Sequence, residues 1–413
     1  MRLTNVLNAQ HLGWHFKMKW RTLKRRAIED QNAASYLKAM GLPVIDPVQE
    51  FMSEPEIPKP PSELLNPLSI GQLDRNENHP FWNSRVCHMF GDNNVLICGE
   101  KQAQVLTKTL LVNELPDTIQ KLAKNVEISE ETEIRVKNSI LHAHLFDAHQ
   151  EKLAVRKNPE KPMWVFPREW GITDYRKNRY IIDKLLQQCE KLTDSSITSQ
   201  RKILENVSFV VPFESDGNLI QFHKTAEHFL VSKQAIKPIE NISNAESELP
   251  NLHPLKSNIS IEPENIYQEK HIYPVPKGGN FEYPHTAFVH YTPLDVKNIT
   301  LEPVKAEQIA SRNMLKAFTI AAAKAQSLYG AKVEDLPSPI TVQCVQVHIN
   351  QFYFGVYQLN TLNLNADNDK KNYWFKTSPK LLYTNCEYNE SRPVLKNYND
   401  DVLRHTLAFY QNQ

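Results

Sequence analysis

The sequence predicts an α+β protein, with mixed helices and antiparallel hairpins behind an extended Pro-rich N-terminal arm. Three observations carry that prediction. Several segments repeat apolar residues every three to four positions, as amphipathic helices do. Others are β-branched or aromatic runs separated by a turn, as in hairpins. Prolines crowd one N-terminal stretch too densely for either element.

The 413 residues suffice for a substantial core. With 41% hydrophobic and 23% charged residues, the composition is that of an ordinary globular protein. Lys and Arg number 48 against 47 Asp and Glu, a net charge of +1. Any RNA contact must therefore come from local basic patches, with protein partners sharing the binding surface. Cys87, Cys98, Cys189, Cys344 and Cys386 are scattered, with no CxxC pair, which suits a reducing compartment. No apolar run reaches the roughly 18 residues of a membrane span.

Taken in order, residues 1–28 hold no Asp or Glu but accumulate Arg2, Lys17, Lys19, Arg21, Lys24, Arg25 and Arg26. This is the charge signature of a mitochondrial presequence, or transit peptide. A retained basic arm on phosphates, with Trp14, His15, Phe16 and Trp20 stacking, is the alternative. Residues 29–78 read as the extended arm, because Pro43, Pro47, Pro55, Pro58, Pro60, Pro61 and Pro67 interrupt helix and ladder alike. Residues 79–236 are expected to form a first α+β lobe, 237–269 a polar irregular connector, and 270–413 a second α+β lobe.

Within the lobes, a first helix is expected near Lys101 to Lys124. A second is capped by Ser129, favoured at its positive end by Glu130, Glu131 and Glu133, and striped by Ile134, Ile140, Leu141 and Leu145. A third follows Thr173 and carries Ile181, Ile182, Leu185, Leu186 and Cys189 on one face. The longest runs from Glu307 to Tyr329 and stops at Gly330. Strands are expected at Val207 to Val211, Leu219 to Phe222, Ile340 to Ile349 and Phe352 to Leu359, the last two joined at Asn350-Gln351. Tyr283-Pro284-His285-Thr286 reads as a turn packing its tyrosine on the body.

The search for chemistry returns mostly absences. With 11 glycines there is no G-x-x-x-x-G-K-[ST], G-x-G-x-x-G or G-x-S-x-G, so the usual phosphate cradles and the nucleophile elbow are missing. His142 and His144, with His149 beyond, form the best metal candidate, but residues two apart on a helix face different ways. Cys87 and Cys98 near His79 and His88 read as structural. The sequence therefore assigns no catalytic residue, metal ligand or cofactor. Its candidate phosphate-binding cations are Lys24, Arg25 and Arg26, then Arg176, Lys177 and Arg179 at the start of the third helix, and Lys370 and Lys371 after the hairpin. Each run reads equally as a solvated charged face.

The residues also carry a resemblance. His79-Pro80 through Cys87 and Phe90 to Gly99, then Lys101-Gln102-Ala103, Leu106-Thr107-Lys108-Thr109 and Leu115-Pro116, resemble the mitochondrial large-subunit ribosomal protein thirty-seven family of animals. Ile140-Leu141-His142-Ala143, Tyr283-Pro284-His285-Thr286, Ala317-Phe318, Leu328-Tyr329-Gly330, Gln358-Leu359-Asn360-Thr361, Trp374 and Leu381-Leu382-Tyr383 follow in the family's order. The resemblance implies a structural constituent of the mitochondrial large ribosomal subunit, in the matrix and without an active site. It also implies large-subunit rRNA and other large-subunit proteins as partners, including a paralogue also called programmed cell death protein nine. The alternatives are a non-ribosomal mitochondrial RNA-binding protein and an enzyme of unrecognised type.

Overall fold

The computed structural model describes residues 18–19, 33–44 and 86–413, apart from 146, 148, 154, 156–159, 162, 165–166, 216, 241–247, 266–270, 293–295, 297–301, 366–367 and 390–391. The chain divides into two units, Met1–Leu73 and Asp74–Gln413. In the first, the described residues include a short helix α1 (Ala33–Ala39). The presequence reading and most of the Pro-rich arm fall outside the described residues.

The second unit is built on one ten-stranded mixed sheet. Its path runs β2 (Thr109–Val112), β11 (Asn372–Lys376), β10 (Gln351–Thr361), β9 (Asp335–His348), β8 (Tyr283–His290), β6 (Asn218–Ser232), β1 (Val86–Phe90) and β7 (Glu262–Asn265). β5 (Arg201–Ser215) pairs with β6, and β12 (Lys380–Leu381) with β10. The pairs β1–β6, β2–β11 and β8–β9 are parallel and the others antiparallel. The β9–β10 hairpin turns at Ile349-Asn350, pairing His348 with Gln351. β5 and β6 are fifteen residues each, three times the length expected for the first.

The division into lobes at 79–236 and 270–413 is corrected by this sheet. β1, β5 and β6 from the first range and β8 to β11 from the second share one hydrogen-bonded surface, with His228 of β6 opposite Phe288 of β8. The expected connector supplies the edge strand β7. Residues 74–413 are one compact unit because the strand edges of each half are completed by the other.

Helices cover both faces. α2 (Gly99–Thr107) and α7 (Ala306–Tyr329) pack with Phe209, Phe222, Ala287, Val342, Tyr357 and Trp374. α3 (Asp117–Asn125), α4 (Glu130–Leu145), α5 (Asp174–Leu192) and α8 (Asp401–Gln411) pack with Leu230, Phe288, Val345, Phe354 and Phe375. The alternation Ala287/Phe288 and Cys344/Val345 between the two clusters is the period-two rule of a sheet buried on both faces.

The single helix expected from Lys101 to Lys124 is two helices with β2 between them. Lys108 takes a left-handed φ of 51° and closes α2, Thr109–Val112 joins the sheet beside β11, and Pro116 precedes α3. In α4, Ser129 Oγ accepts from the Thr132 amide at 3.3 Å, as its sequence implies. Its buried face is Thr132, Val136, Ile140 and Ala143, however. Ile134 (49% exposed) and Leu145 (51%) lie outward, so the expected stripe is displaced around the helix. α5 buries Ile181, Ile182, Leu185, Leu186 and Cys189 as expected, and Gly330 at φ 95° ends α7.

Tyr283-Pro284-His285-Thr286 is the start of β8 rather than a turn. His285 is buried. Its Nε2 lies 2.8 Å from the Asn412 carbonyl and its Nδ1 2.8 Å from Thr286 Oγ1. Gln343 Nε2 donates to the Phe409 carbonyl at 2.9 Å, and Asn412 Nδ2 to Gln343 Oε1 at 2.9 Å, so the C-terminal helix is tied to the sheet through polar atoms.

This packing makes the fold sensitive to added volume and to acid. A Cβ at Gly355 would lie 2.1 Å from Trp374 Cζ2 and Cη2. Gly355→Ala should therefore cost about 1–3 kcal/mol by overpacking, read as a lowered urea midpoint, with partial recovery in G355A/W374L. Burial holds the His285 imidazole down to about 3, helped by the Arg201 charge, and burial holds His290 down to about 4. Both stay neutral when folded, while the unfolded chain protonates them near 6.5. Their stabilisation is complete above about 6.5 and is lost as pH falls toward 4 and then 3. The urea midpoint should fall between pH 7 and about pH 4.5, and fall less in His285→Gln; an unchanged drop in the variant would assign the acid sensitivity elsewhere.

Candidate nucleic-acid interface

A surface that binds an RNA backbone needs cations able to leave their resting partners for phosphates. At the start of α5, the three expected cations lie within four residues of one another, and the structure pairs each with an acid. Arg176 Nε and Nη2 donate to the two carboxylate oxygens of Asp147 at 2.5 and 2.9 Å. Lys177 Nζ lies 3.2 Å from Asp174, and Arg179 Nη2 lies 2.6 Å from Glu205. The hydrogen bond from Arg176 holds the Asp147 carboxyl below its usual range, and the same bond raises the Arg176 guanidinium.

These pairs are at the surface, where an ion pair contributes about 0–1 kcal/mol and exchange for a phosphate costs little. Cations in the first turn of a helix oppose its macrodipole, which the pairs with Asp147 and Asp174 offset at Arg176 and Lys177. Lys370 and Lys371 stand in the loop between β10 and β11. Lys370 Nζ is 3.0 Å from Asp335, and Lys371 Nζ donates to the Asn368 carbonyl at 3.3 Å. Lys24, Arg25 and Arg26 lie outside the described residues.

The histidine run behaves as helical geometry requires. His142 is exposed, whereas His144 is half-buried with Nδ1 2.9 Å from the Ile140 carbonyl and its ring edge-on to Tyr383. His149 is exposed beside Glu151. Cys87 is buried, and the His88 ring meets the Asn258 amide at 3.0 Å. Among the described residues, no group of three His, Cys, Asp or Glu is placed to hold a metal ion.

Sequence reasoning missed where some of the positive charge goes. Lys108 is buried and donates to the Asn365 carbonyl. Lys224, Arg312 and Lys316 are buried near Asp92: Lys316 Nζ is 3.3 Å from that carboxylate, Arg312 donates to the Asp92 carbonyl, and Lys224 donates to the Gly91 carbonyl. Lys324 Nζ reaches Glu282 at 2.9 Å. A count of lysines cannot reveal this, because only the surrounding fold decides which ones snorkel and which are enclosed.

Residues 287–413, from β8 through α8, match the family model described as mitochondrial 28S ribosomal protein S30 (PDCD9). Over a longer span the chain is similar to the large ribosomal subunit protein mL37 of Rattus norvegicus. The two are 27% identical over 370 residues, covering 86% of this chain and 81% of that protein. The mL37 protein of Bos taurus is 30% identical over 315 residues, covering 74% and 69%. That of Gallus gallus is 26% identical over 319 residues, covering 76% and 69%. The 28S protein's model matches only the C-terminal part, whereas the mL37 relatives align with most of the chain. The chain belongs to the mL37 family of large ribosomal subunit proteins.

Proposed function

We propose that this chain is a structural constituent of the mitochondrial large ribosomal subunit, acting in mitochondrial translation by bridging rRNA backbone and neighbouring proteins. The observation that carries the reading is its similarity to mL37 proteins along most of both chains. Its role is structural rather than catalytic, and its place is the mitochondrial matrix. The physical features accord with such a scaffold. A ten-stranded sheet covered by helices gives a stiff body, and its near-neutral charge leaves RNA attraction to local patches.

Arg176, Lys177 and Arg179 are the first phosphate contacts in this reading, because their acids can be released at small cost. Lys370 and Lys371 form a weaker second patch, and Lys24, Arg25 and Arg26 join them if the N-terminal segment is retained. Residues 1–28 act as a transit peptide in this reading. The partners include the paralogue also called programmed cell death protein nine. The match of residues 287–413 to that protein's family model supports a common C-terminal module in the two.

Sedimentation of a mitochondrial lysate tests the reading, with this chain followed beside the large-subunit rRNA. Co-migration with the large subunit and the monosome is expected; recovery only in the light soluble fractions would overturn it. Increasing salt in the same gradient should release the triple variant R176Q/K177Q/R179Q earlier than the wild type. The salt slope should fall by about one for each phosphate that these three cations neutralise. Identical release of the two chains would remove these cations from the interface.

A further inference from the structure

Between α4 and α5 the chain makes a small ribbon outside the main sheet, β3 (Glu151–Lys152) against β4 (Trp170–Gly171). We propose that this ribbon and the turn from Lys161 to Trp164 form a stacking platform for unpaired RNA bases, whose phosphates are met by the adjoining lysines. The proposal rests on the ribosomal reading for the source of the RNA and on the segment's own chemistry for the unpaired strand.

The ribbon begins beside the cations at the start of α5. Arg176 grips Asp147, whose Oδ1 also accepts from the His149 amide at 2.9 Å, and His149 Nε2 lies 3.2 Å from Glu151 of β3. Antiparallel pairing sets Lys152 directly opposite Trp170, so both side chains leave the ribbon on one face. The Lys152 ammonium accordingly stands 5.6 Å from the Trp170 ring centroid. In the turn, Trp164 N–H donates to the Lys161 carbonyl at 3.0 Å, and the Lys161 ammonium stands 4.2 Å from the Trp164 ring centroid. Arg168 clamps the ribbon, donating from Nε to the Leu153 carbonyl at 3.0 Å and from Nη2 to the Lys152 carbonyl at 3.3 Å. Trp164 is 55% exposed and Trp170 62%, so the lysines cover only part of each residue. Tryptophan is on average a highly buried residue; two held outward on one short segment mark a surface that another molecule covers.

The chemistry of the segment selects a nucleic-acid strand. Residues 147–179 carry eight Lys and Arg against five Asp and Glu, so three positive charges in excess gather here in a chain whose total is +1. That surplus suits a phosphate backbone. A nucleotide also satisfies both halves of each lysine–tryptophan pair, because its base stacks on the indole while its phosphate takes the ammonium. An apolar protein surface closing on the indoles would strip water from Lys152 and Lys161 and return no acceptor. A base-paired helix keeps its bases stacked inside, so a loop, bulge or end is what can lay a base on either ring.

A density map of the large subunit purified with this chain tests the platform, beside a map of particles carrying W164A/W170A. The expected result is an unpaired base parallel to the Trp164 or Trp170 ring, with a phosphate near Lys161 or Lys152. That base density should be lost in the double variant while the chain stays in the particle, since both indoles are exposed and their removal spares the core. If the chain is present but the indoles are covered by protein, by a duplex backbone or by solvent alone, the platform is overturned and the ribosomal reading stands. Absence of the chain from the particle overturns the ribosomal reading, and binding by the full chain in solution then decides the platform. A single-stranded RNA of about 12 nucleotides should bind W164A/W170A about tenfold more weakly than the wild type, with the salt slope unchanged. Equal binding to the two chains would overturn the platform.

Discussion

The fold depends on one helix that has no solvent-facing side for most of its length. From Gln308 to Gln326 every residue of α7 except Ala310 is buried. The polar side chains of such a helix can hydrogen-bond only to the protein around them. Arg312 donates to the Asp92 carbonyl, Lys316 to the Thr225 carbonyl at 2.9 Å, and Gln326 to the Pro212 carbonyl at 2.7 Å. Gln308 donates to the Leu96 carbonyl at 2.9 Å. These bonds join α7 to segments far away in sequence, so its placement fixes theirs. Ala321, Ala322, Ala323 and Ala325 keep the helix thin where it lies on the sheet, and Phe318 fills the space between Phe213, Phe222 and Tyr357.

Five of the chain's 48 Lys and Arg are enclosed in the described interior, namely Lys108, Lys224, Arg312, Lys316 and Lys324. Burial raises the Asp92 carboxyl, but the charges of Lys316, Lys224 and Arg312 and the hydrogen bond from Thr225 outweigh it, holding the group well below the usual carboxylate range. Burial drives the Lys224 amine far below its ordinary value, with Asp92 opposing. Charge enclosed in this interior is unavailable to RNA. At the start of α5, by contrast, Arg176, Lys177 and Arg179 lie at the surface, each paired with an acid.

Much of this is legible in the residues, and the gaps have physical causes. The apolar period of α5 and the alanine-rich run of α7 stand out because each bears a long, regular signal. The β9–β10 hairpin is visible for the same reason. β2 is hidden because Thr109-Leu110-Leu111-Val112 continues an apolar rhythm that a short helix also shows, and only the left-handed Lys108 and pairing with β11 break it. The face of α4 is misplaced by its pattern because Ile134, Leu141 and Leu145 are more apolar than the Thr132, Val136 and Ala143 that occupy the core. Burial there follows the surfaces available on α5 and β14 (Arg392–Lys396), which a local pattern does not contain.

If α7 unites the sheet, residues 86–413 should open as one cooperative unit. Native-state hydrogen exchange on the full chain tests this most directly. Amides of α7, β6 and β9 should exchange only through a common opening, with the same free energy and the same denaturant dependence. Separate openings for 86–236 and 270–413, with α7 following only the second, would contradict it.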